Sequence, residues 1–260
     1  MTKMPTYVAG HELLAGKTIL VTAAAGTGIG FATALRCAEE GAAGLVISDI
    51  HERRLADAAE KIATATGVQP ETVLCNVAIE EEVQAMFEHA IEKMGHIDVV
   101  MNNAGLGGYA KIVDMTDEQW SLVLDVTLNG CFRCTRAALK HMMPRGSGAI
   151  VNNASVLGWR AQEGQSHYAA AKAGVMALTR CAAIEAAERN VRVNCVAPSL
   201  AMHPFLEKVT PPGLLEELQK REAFGRGAEP WEISNVMVFL ASDYSSYMTG
   251  EVLSVSSQRA

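Results

Sequence analysis

Little in this chain would anchor it in a membrane or staple it together. None of its apolar runs reaches the roughly 18 residues of a membrane span. The opening MTKMPTYVAGHELL lacks the apolar centre of a secretion signal. Six cysteines lie far apart, without the density of a disulfide scaffold, so reduced thiols and a cytoplasmic setting are expected. Cys131 and Cys134 form a CxxC, but inside a helical pattern and without a second pair; core packing is expected there, and no metal. A net charge of −7 leaves no basic excess to displace counterions, which argues against a nucleic-acid surface. There is no linker, repeat or low-complexity stretch, and 49% hydrophobic with 20% charged residues excludes a disordered chain.

What remains is length and pattern suited to one large α/β core. Strand-like runs occur near Ile19, Val46, Val73, Val99, Ile150, Val193 and Leu253, mostly separated by helical patterns. That alternation predicts a single-domain, doubly wound parallel sheet of about seven strands, Rossmann-like, with helices on both faces. Residues 1–13 are expected to form a surface arm and residues 14–260 the domain, with a substrate lid at about 200–226. Within the lid, Pro211-Pro212-Gly213 marks a bend before a helical run from Leu214 to Glu222. A long helix is expected from about Glu118 to Met143, ended by Pro144 and Gly146.

The chemistry concentrates in His167-Tyr168-Ala169-Ala170-Ala171-Lys172. Four-residue spacing puts the phenol and the ammonium on one helix face, one turn apart. A free phenol titrates near pH 10 and is a poor base at neutrality. A cation about 5 Å away, at an effective dielectric of about 20, favours the phenolate by roughly 3 kcal/mol. Ser155 stands thirteen residues earlier, where a strand-end hydroxyl could reach the same point. A lone YxxxK is more often a solvated helix face; its weight here comes from the opening of the chain. There the β-branched run from Lys17 to Thr22 feeds Ala23-Ala24-Ala25-Gly26-Thr27-Gly28-Ile29-Gly30 and then an amphipathic helix. Strand, glycine-rich turn and helix together bring a diphosphate onto backbone N–H groups. A second hydrophobic run ends at Asp49, nineteen residues after Gly30. A carboxylate there accepts ribose hydroxyls and repels a 2′-phosphate, so NAD is favoured over NADP. Arg53 and Arg54, which could rescue a phosphate, are expected on the solvent face of the next helix.

These pieces, with Asn102-Asn103-Ala104-Gly105, Pro198 and Leu240-Ala241-Ser242-Asp243, resemble the short-chain dehydrogenase/reductase family from about Leu14 to Ser256. The resemblance implies catalysis by Ser155, Tyr168 and Lys172. It implies dinucleotide contacts at Thr22, Gly26, Gly28, Ile29, Gly30, Asp49, Asn76, Val77, Asn103, Ala104, Gly105, Tyr168, Lys172, Pro198, Ala201 and His203, with Asn102 near the adenosine ribose. It also implies a homodimer or homotetramer packed through the small-residue helix that carries Tyr168. Stretches such as NNASVLGWRAQ and EPWE are similar to enzymes acting on a hydroxylated, CoA-linked ring fragment of bacterial steroid degradation.

Four departures from the family pattern bear on the site. The turn from Thr22 to Gly30 is one residue long, with Ala23 where the first glycine stands. Asn76 replaces an adenine-contacting aspartate, and its amide oxygen can still accept a hydrogen bond. Thr127 takes the place of the helix asparagine, where its hydroxyl could hold a relay water; Asn129 lies too far round the helix to substitute. His203 falls where a hydroxyl usually meets the nicotinamide amide, although an ordinary loop histidine is an even alternative. Leu106, Leu157, Trp159 and Phe205, with Leu200, Met202 and Leu206, are expected to line an apolar substrate pocket. Arg160 and Arg226 are candidate contacts for thioester phosphates, against their commoner reading as surface arginines. The expected activity is an NAD-dependent oxidoreductase interconverting a secondary alcohol and a ketone on a hydrophobic substrate, such as a CoA-linked bicyclic steroid remnant. The alternatives are a 3-oxoacyl thioester (ACP or CoA) reductase using NADPH, and a non-catalytic dinucleotide sensor.

Overall fold

The computed structural model describes residues 5–203, 206 and 213–257. The first half alternates β1 (Thr18–Val21), α1 (Ile29–Glu39), β2 (Gly44–Asp49), α2 (Glu52–Thr66), β3 (Glu71–Leu74), α3 (Glu80–Met94) and β4 (Val99–Asn102). Next, α4 (Asp117–Leu124) runs through a π turn (Asp125–Asn129) into α5 (Gly130–Arg145). The second half continues with β5 (Gly148–Asn153), α6 (Ser166–Ala187), β6 (Val191–Pro198), α7 (Leu214–Arg221), α8 (Pro230–Ala241) and β7 (Val252–Val255). The strands make one parallel 7-stranded sheet in the order β3-β2-β1-β4-β5-β6-β7.

Strand periodicity divides the apolar residues between two cores. Ile19, Val21, Leu45, Ile47, Val99, Met101, Ala149 and Val151 face α1, α2 and α8. The residues between them, Leu20, Val46, Val100 and Ile150, face α3, α5 and α6. Both sheet faces are covered, which is why these strands read as unbroken hydrophobic runs rather than alternating ones. Each fully buried aliphatic side chain contributes about 1.5–3 kcal/mol relative to exposure. The chain winds outward from β1 to β3, then returns to place β4 beside β1. That reversal opens a crevice beyond the carboxyl ends of β1 and β4, where ligands of such sheets bind.

Local sequence explains where the elements stop. Thr116 and Gln119 form a reciprocal capping box that starts α4. α5 runs past Pro144 to Arg145 and ends at Gly146, whose φ of +69° suits a residue without Cβ. The proline sits in the last turn, and the helix runs only one residue past it. The N-terminal arm is tied down. Glu40, wholly buried at the end of α1, accepts from the backbone N–H of His11 (2.7 Å) and Leu13 (3.0 Å) and pairs with Arg36. Arg36 in turn donates to the carbonyls of Val8 and Ala9, and the Tyr7 ring meets Trp231 edge-on.

Candidate active site

The glycine turn between β1 and α1 lies at the reversal point. Gly30 has no room for a side chain: a Cβ would stand 2.1 Å from the Ala23 carbonyl oxygen and 2.4 Å from Asn103 Nδ2. Gly26 has a φ of +95°, and a Cβ on Gly28 would meet no protein atom within 4 Å. α1 starts at Gly28 with no side-chain cap and no acidic residue in its first turn, so its N-terminal N–H groups are available to an anion. Ile29 is the first residue of that helix. Thr22 is buried beneath the turn, where its hydroxyl accepts from the N–H of Asn103 (3.0 Å) and Ala104 (3.1 Å).

Asp49 ends β2 beside this turn. Oδ2 accepts from the Ala25 N–H and Oδ1 from the His51 N–H, each at 3.1 Å. Burial pushes the Asp49 carboxyl above its ordinary value, against backbone N–H bonds and the Arg54 charge, which pull it down. Arg53 and Arg54 are exposed on α2, as expected, beside a shallow cavity of about 280 Å³ that also includes Ile50, His51 and Glu52.

Two copies of Asn-Asn-Ala end β4 and β5 in register, Asn102 opposite Asn152. Asn102, expected near the ribose, is instead buried: its Nδ2 donates to Asn152 Oδ1 (2.9 Å) and Thr135 Oγ1 (3.2 Å) on the α5 side. Strand alternation turns it away from the crevice. Asn103 faces the turn and donates to the carbonyls of Thr22 (3.3 Å) and Ala23 (3.1 Å), while Asn153 Nδ2 donates to Asn103 Oδ1 (2.9 Å). Asn153 is not among the residues expected from the sequence; the signal pointing to it is the repeated Asn-Asn-Ala.

α6 brings Tyr168 and Lys172 to the same edge, with Lys172 Nζ 5.5 Å from the centre of the Tyr168 ring. Lys172 is buried and donates to the Asn153 carbonyl at 2.5 Å. A Cβ on Gly105 would approach Lys172 Nζ to 3.2 Å, and one on Gly107 would touch the Tyr168 ring at 3.7 Å. The segment after Asn103 and Ala104 therefore lies directly over the pair. Ser155, two residues past Asn153, is buried, and its Oγ accepts from the Leu157 N–H at 3.2 Å. That bond occupies one lone pair and leaves the hydroxyl proton for another acceptor.

Thr127 departs from expectation. Its hydroxyl accepts from the Leu106 N–H (2.9 Å) and donates to the Leu106 carbonyl (3.0 Å), so its donor is taken and it pins the loop after Gly105. Asn129 points outward to Asp125, consistent with its exclusion from the site. The Asn76 Oδ1 accepts from the Ala78 N–H (3.0 Å), and Val77 packs against Gly130, where a Cβ would stand 2.6 Å from it. Pro198 ends β6 opposite Val255, Ala201 bridges Ala228, and His203 accepts from the Leu206 N–H through both its carbonyl and Nδ1. Leu106 and Leu157 are partly buried and Trp159 is exposed; Phe205 and Pro211-Pro212 lie outside the described residues. Arg226 donates to Glu232 through both terminal guanidinium nitrogens (2.6 and 2.8 Å) and also to the Gly227 carbonyl, so its terminal nitrogens are engaged within the protein. Burial pushes the Cys131 thiol up to about 11 and Cys134 well above its usual value, so neither supplies a reactive thiolate.

Comparison with known proteins meets this geometry. The family described as enoyl-(acyl carrier protein) reductase matches residues 23–257. Over 98% of this chain and 97% of the relative, the sequence is 58% identical to (5R,7aS)-5-hydroxy-7a-methyl-1-oxo-2,3,5,6,7,7a-hexahydro-1H-indene-carboxyl-CoA reductase of Mycobacterium tuberculosis. The chain belongs to the short-chain dehydrogenase/reductase family. A crystal structure of a short-chain dehydrogenase from Mycobacterium smegmatis superposes with a TM-score of 0.87 at 56% identity, covering 99% of both chains. NAD+-bound xylitol dehydrogenase superposes at 0.88 with 31% identity, covering 94% of this chain and 99% of its own. A 3-oxoacyl-[acyl-carrier-protein] reductase of Thermotoga maritima is 40% identical over 93% of this chain and 97% of its own. This short-chain dehydrogenase/reductase is an oxidoreductase acting on alcohol or ketone groups, in a family that binds a nicotinamide dinucleotide.

Proposed function

We propose that the protein is an NAD-dependent dehydrogenase/reductase for a secondary alcohol on a hydrophobic, CoA-linked bicyclic ring. The observation that carries this reading is the pairing of Tyr168 with the buried Lys172 at the carboxyl edge of the sheet, beside the glycine turn. The uncapped start of α1 and the absence of a side chain at Gly28 fit the diphosphate of a dinucleotide. Asp49 favours NAD, since a carboxylate there accepts ribose hydroxyls and opposes a 2′-phosphate. A bound nicotinamide supplies the hydride acceptor or donor. Tyr168 takes the hydroxyl proton during oxidation and returns it to the oxygen during reduction. Ser155 donates its free proton to the substrate oxygen and stabilises charge developing there. Lys172, held by the Asn153 carbonyl, sets its side-chain nitrogen beside the phenol, 5.5 Å from the ring centre.

The substrate class rests on the 58% relative, whose name specifies a hydroindene carboxyl-CoA. The 40% identity to a 3-oxoacyl-[acyl-carrier-protein] reductase supports the second reading, a straight-chain 3-oxoacyl thioester reductase using NADPH. Exposed Trp120, Leu122, Phe132 and Ile184, on α4, α5 and α6, support a homodimer or homotetramer packed through these helices. The six free cysteines suit a cytoplasmic setting. The test is the rate of NADH and NADPH formation or consumption with hydroxy or keto bicyclic CoA thioesters, straight-chain 3-oxoacyl thioesters and simple secondary alcohols. Preference for the bicyclic thioester with NAD is expected, and Tyr168→Phe loses at least about 100-fold in kcat while still binding NADH. Preference for straight chains with NADPH selects the second reading, and full activity in Tyr168→Phe overturns the catalytic assignment.

A further inference from the structure

We propose that Asn153 is a positioning residue for dinucleotide binding: through Asn103, it holds Ala23 in the left-handed backbone conformation of the diphosphate turn. The proposal rests on the dinucleotide reading above. Ala23 has a φ of +52°, a region in which its Cβ crowds the backbone and its side chain offers no compensating hydrogen bond. A glycine would adopt this conformation freely. Here the conformation is held from outside. Asn103 Nδ2 donates to the carbonyls of both Thr22 (3.3 Å) and Ala23 (3.1 Å), and the next residue, Ala24, donates its N–H to the Ser48 carbonyl (2.9 Å).

An asparagine amide can do this only with its nitrogen toward the turn. Flipped by half a turn, Asn103 would present its oxygen to two carbonyl oxygens. The 2.9 Å bond from Asn153 Nδ2 to Asn103 Oδ1 selects the productive orientation. That is the one bond the Asn153 side chain makes among the described residues, since its Oδ1 is buried without a partner. The Asn153 backbone carbonyl meanwhile accepts from Lys172 Nζ at 2.5 Å. One residue at the end of β5 therefore joins the lysine's anchor to the diphosphate turn, across gaps of 50 and 80 residues in sequence.

The experiment is a double-mutant cycle of Asn153→Ala and Ala23→Gly, read by NADH fluorescence titration and steady-state kinetics on the full chain. Asn153→Ala is expected to weaken NADH binding by about 5- to 20-fold, the equivalent of releasing one strained backbone position. The dinucleotide KM should rise by the same factor while kcat at saturation stays within about threefold. In the Ala23→Gly background, Asn153→Ala should alter NADH affinity by no more than about twofold, because the strain it restrains is gone. Asn153→Ser, which is too short to reach Asn103, is run in parallel and should behave alike should Asn153→Ala fail to fold. Unchanged affinity in Asn153→Ala, or an equal loss in both backgrounds, overturns the proposal. A wild-type protein that binds no NADH rejects the dinucleotide reading itself, and the proposal with it.

Discussion

Glu40→Gln removes one charge from the most deeply buried ion pair among the described residues and leaves the shape almost intact. Glu40 is 0% exposed and Arg36 is 4% exposed, so neither charge has water to fall back on. Breaking a buried pair by neutralising one partner typically costs about 3–5 kcal/mol, because the remaining charge is left uncompensated. A glutamine oxygen in the place of Oε2 can still accept from both the His11 and Leu13 N–H groups while its NH2 faces Arg36, which places the expected loss near the lower end, about 3 kcal/mol. For a domain of this size that lowers Tm by roughly 6–12 °C.

The pH dependence has a definite sign. Burial pushes the Glu40 carboxyl up, but the N–H groups of Leu13 and His11 and the Arg36 guanidinium outweigh it, and the net value lies below the ordinary one. A carboxyl depressed in the folded state adds stability above its unfolded value of about 4.3, and that stability is lost as pH falls through the folded value. The gap between wild type and Glu40→Gln should therefore be full at neutral pH and close below about pH 4. Urea unfolding followed by circular dichroism measures the gap, and amide exchange at His11 and Leu13 reports the release of the arm. Stability within about 1 kcal/mol of wild type at neutral pH, with both amides still protected, would refute the reasoning.

Gly30→Ala should destabilise the fold by about 2–3 kcal/mol and abolish NADH binding, because the new methyl meets a backbone carbonyl and the Asn103 amide. Gly28→Ala, with open space at its Cβ, should cost no more than about 1 kcal/mol, the difference between glycine and alanine at a helix N-cap, so a loss of NADH affinity in a fluorescence titration of the folded variant reports direct approach of the diphosphate. Thr127→Val should lose about 1–3 kcal/mol in chemical denaturation by orphaning the Leu106 N–H and C=O, and Thr127→Ser should restore it; equal stability of all three proteins would show that the hydroxyl has another role.

What the sequence made legible is set by how far apart the interacting residues lie. All seven strands announce themselves through β-branched runs of a few residues, and the Tyr168 and Lys172 pairing through one helical turn. Those signals are local, and the structure keeps them. The polar side chains are different. Arg36 and Glu40 stand four residues apart, a spacing that says nothing about burial, yet both are buried because residues 5–13 return over them. Thr127 looks available for a water until Leu106, 21 residues away, occupies it. Asn102 and Asn103 are neighbours in sequence, but the strand's two-residue period sends them to opposite sides, one into the core and one to the turn. Hydrogen-bond partners across 20–80 residues leave no periodic trace; here the repeated Asn-Asn-Ala is the exception.

The same long-range ties govern how cofactor choice must be tested. The glycine turn is held on three sides, by Asn103 at Thr22 and Ala23, by Ser48 at Ala24 and by Asp49 at Ala25. On the NAD reading proposed above, Asp49 has two parts to play: its charge faces the ribose, and its Oδ2 fixes the Ala25 N–H. Asp49→Ala removes both, so a fall in NAD affinity there would mix lost recognition with a loosened turn. Asp49→Asn separates them, because its amide oxygen still accepts from Ala25 while the charge is gone and only the exposed His51 N–H bond is given up. Removing a carboxylate about 5 Å from a 2′-phosphate lifts a repulsion of up to about 3 kcal/mol before salt screening. The ratio of kcat/KM for NAD over NADP should then drop by roughly 10-fold or more in Asp49→Asn, with thermal stability nearly unchanged, whereas Asp49→Ala should lose stability as well. A ratio that stays put in both variants would take Asp49 out of cofactor selection and leave it as a strut of the turn.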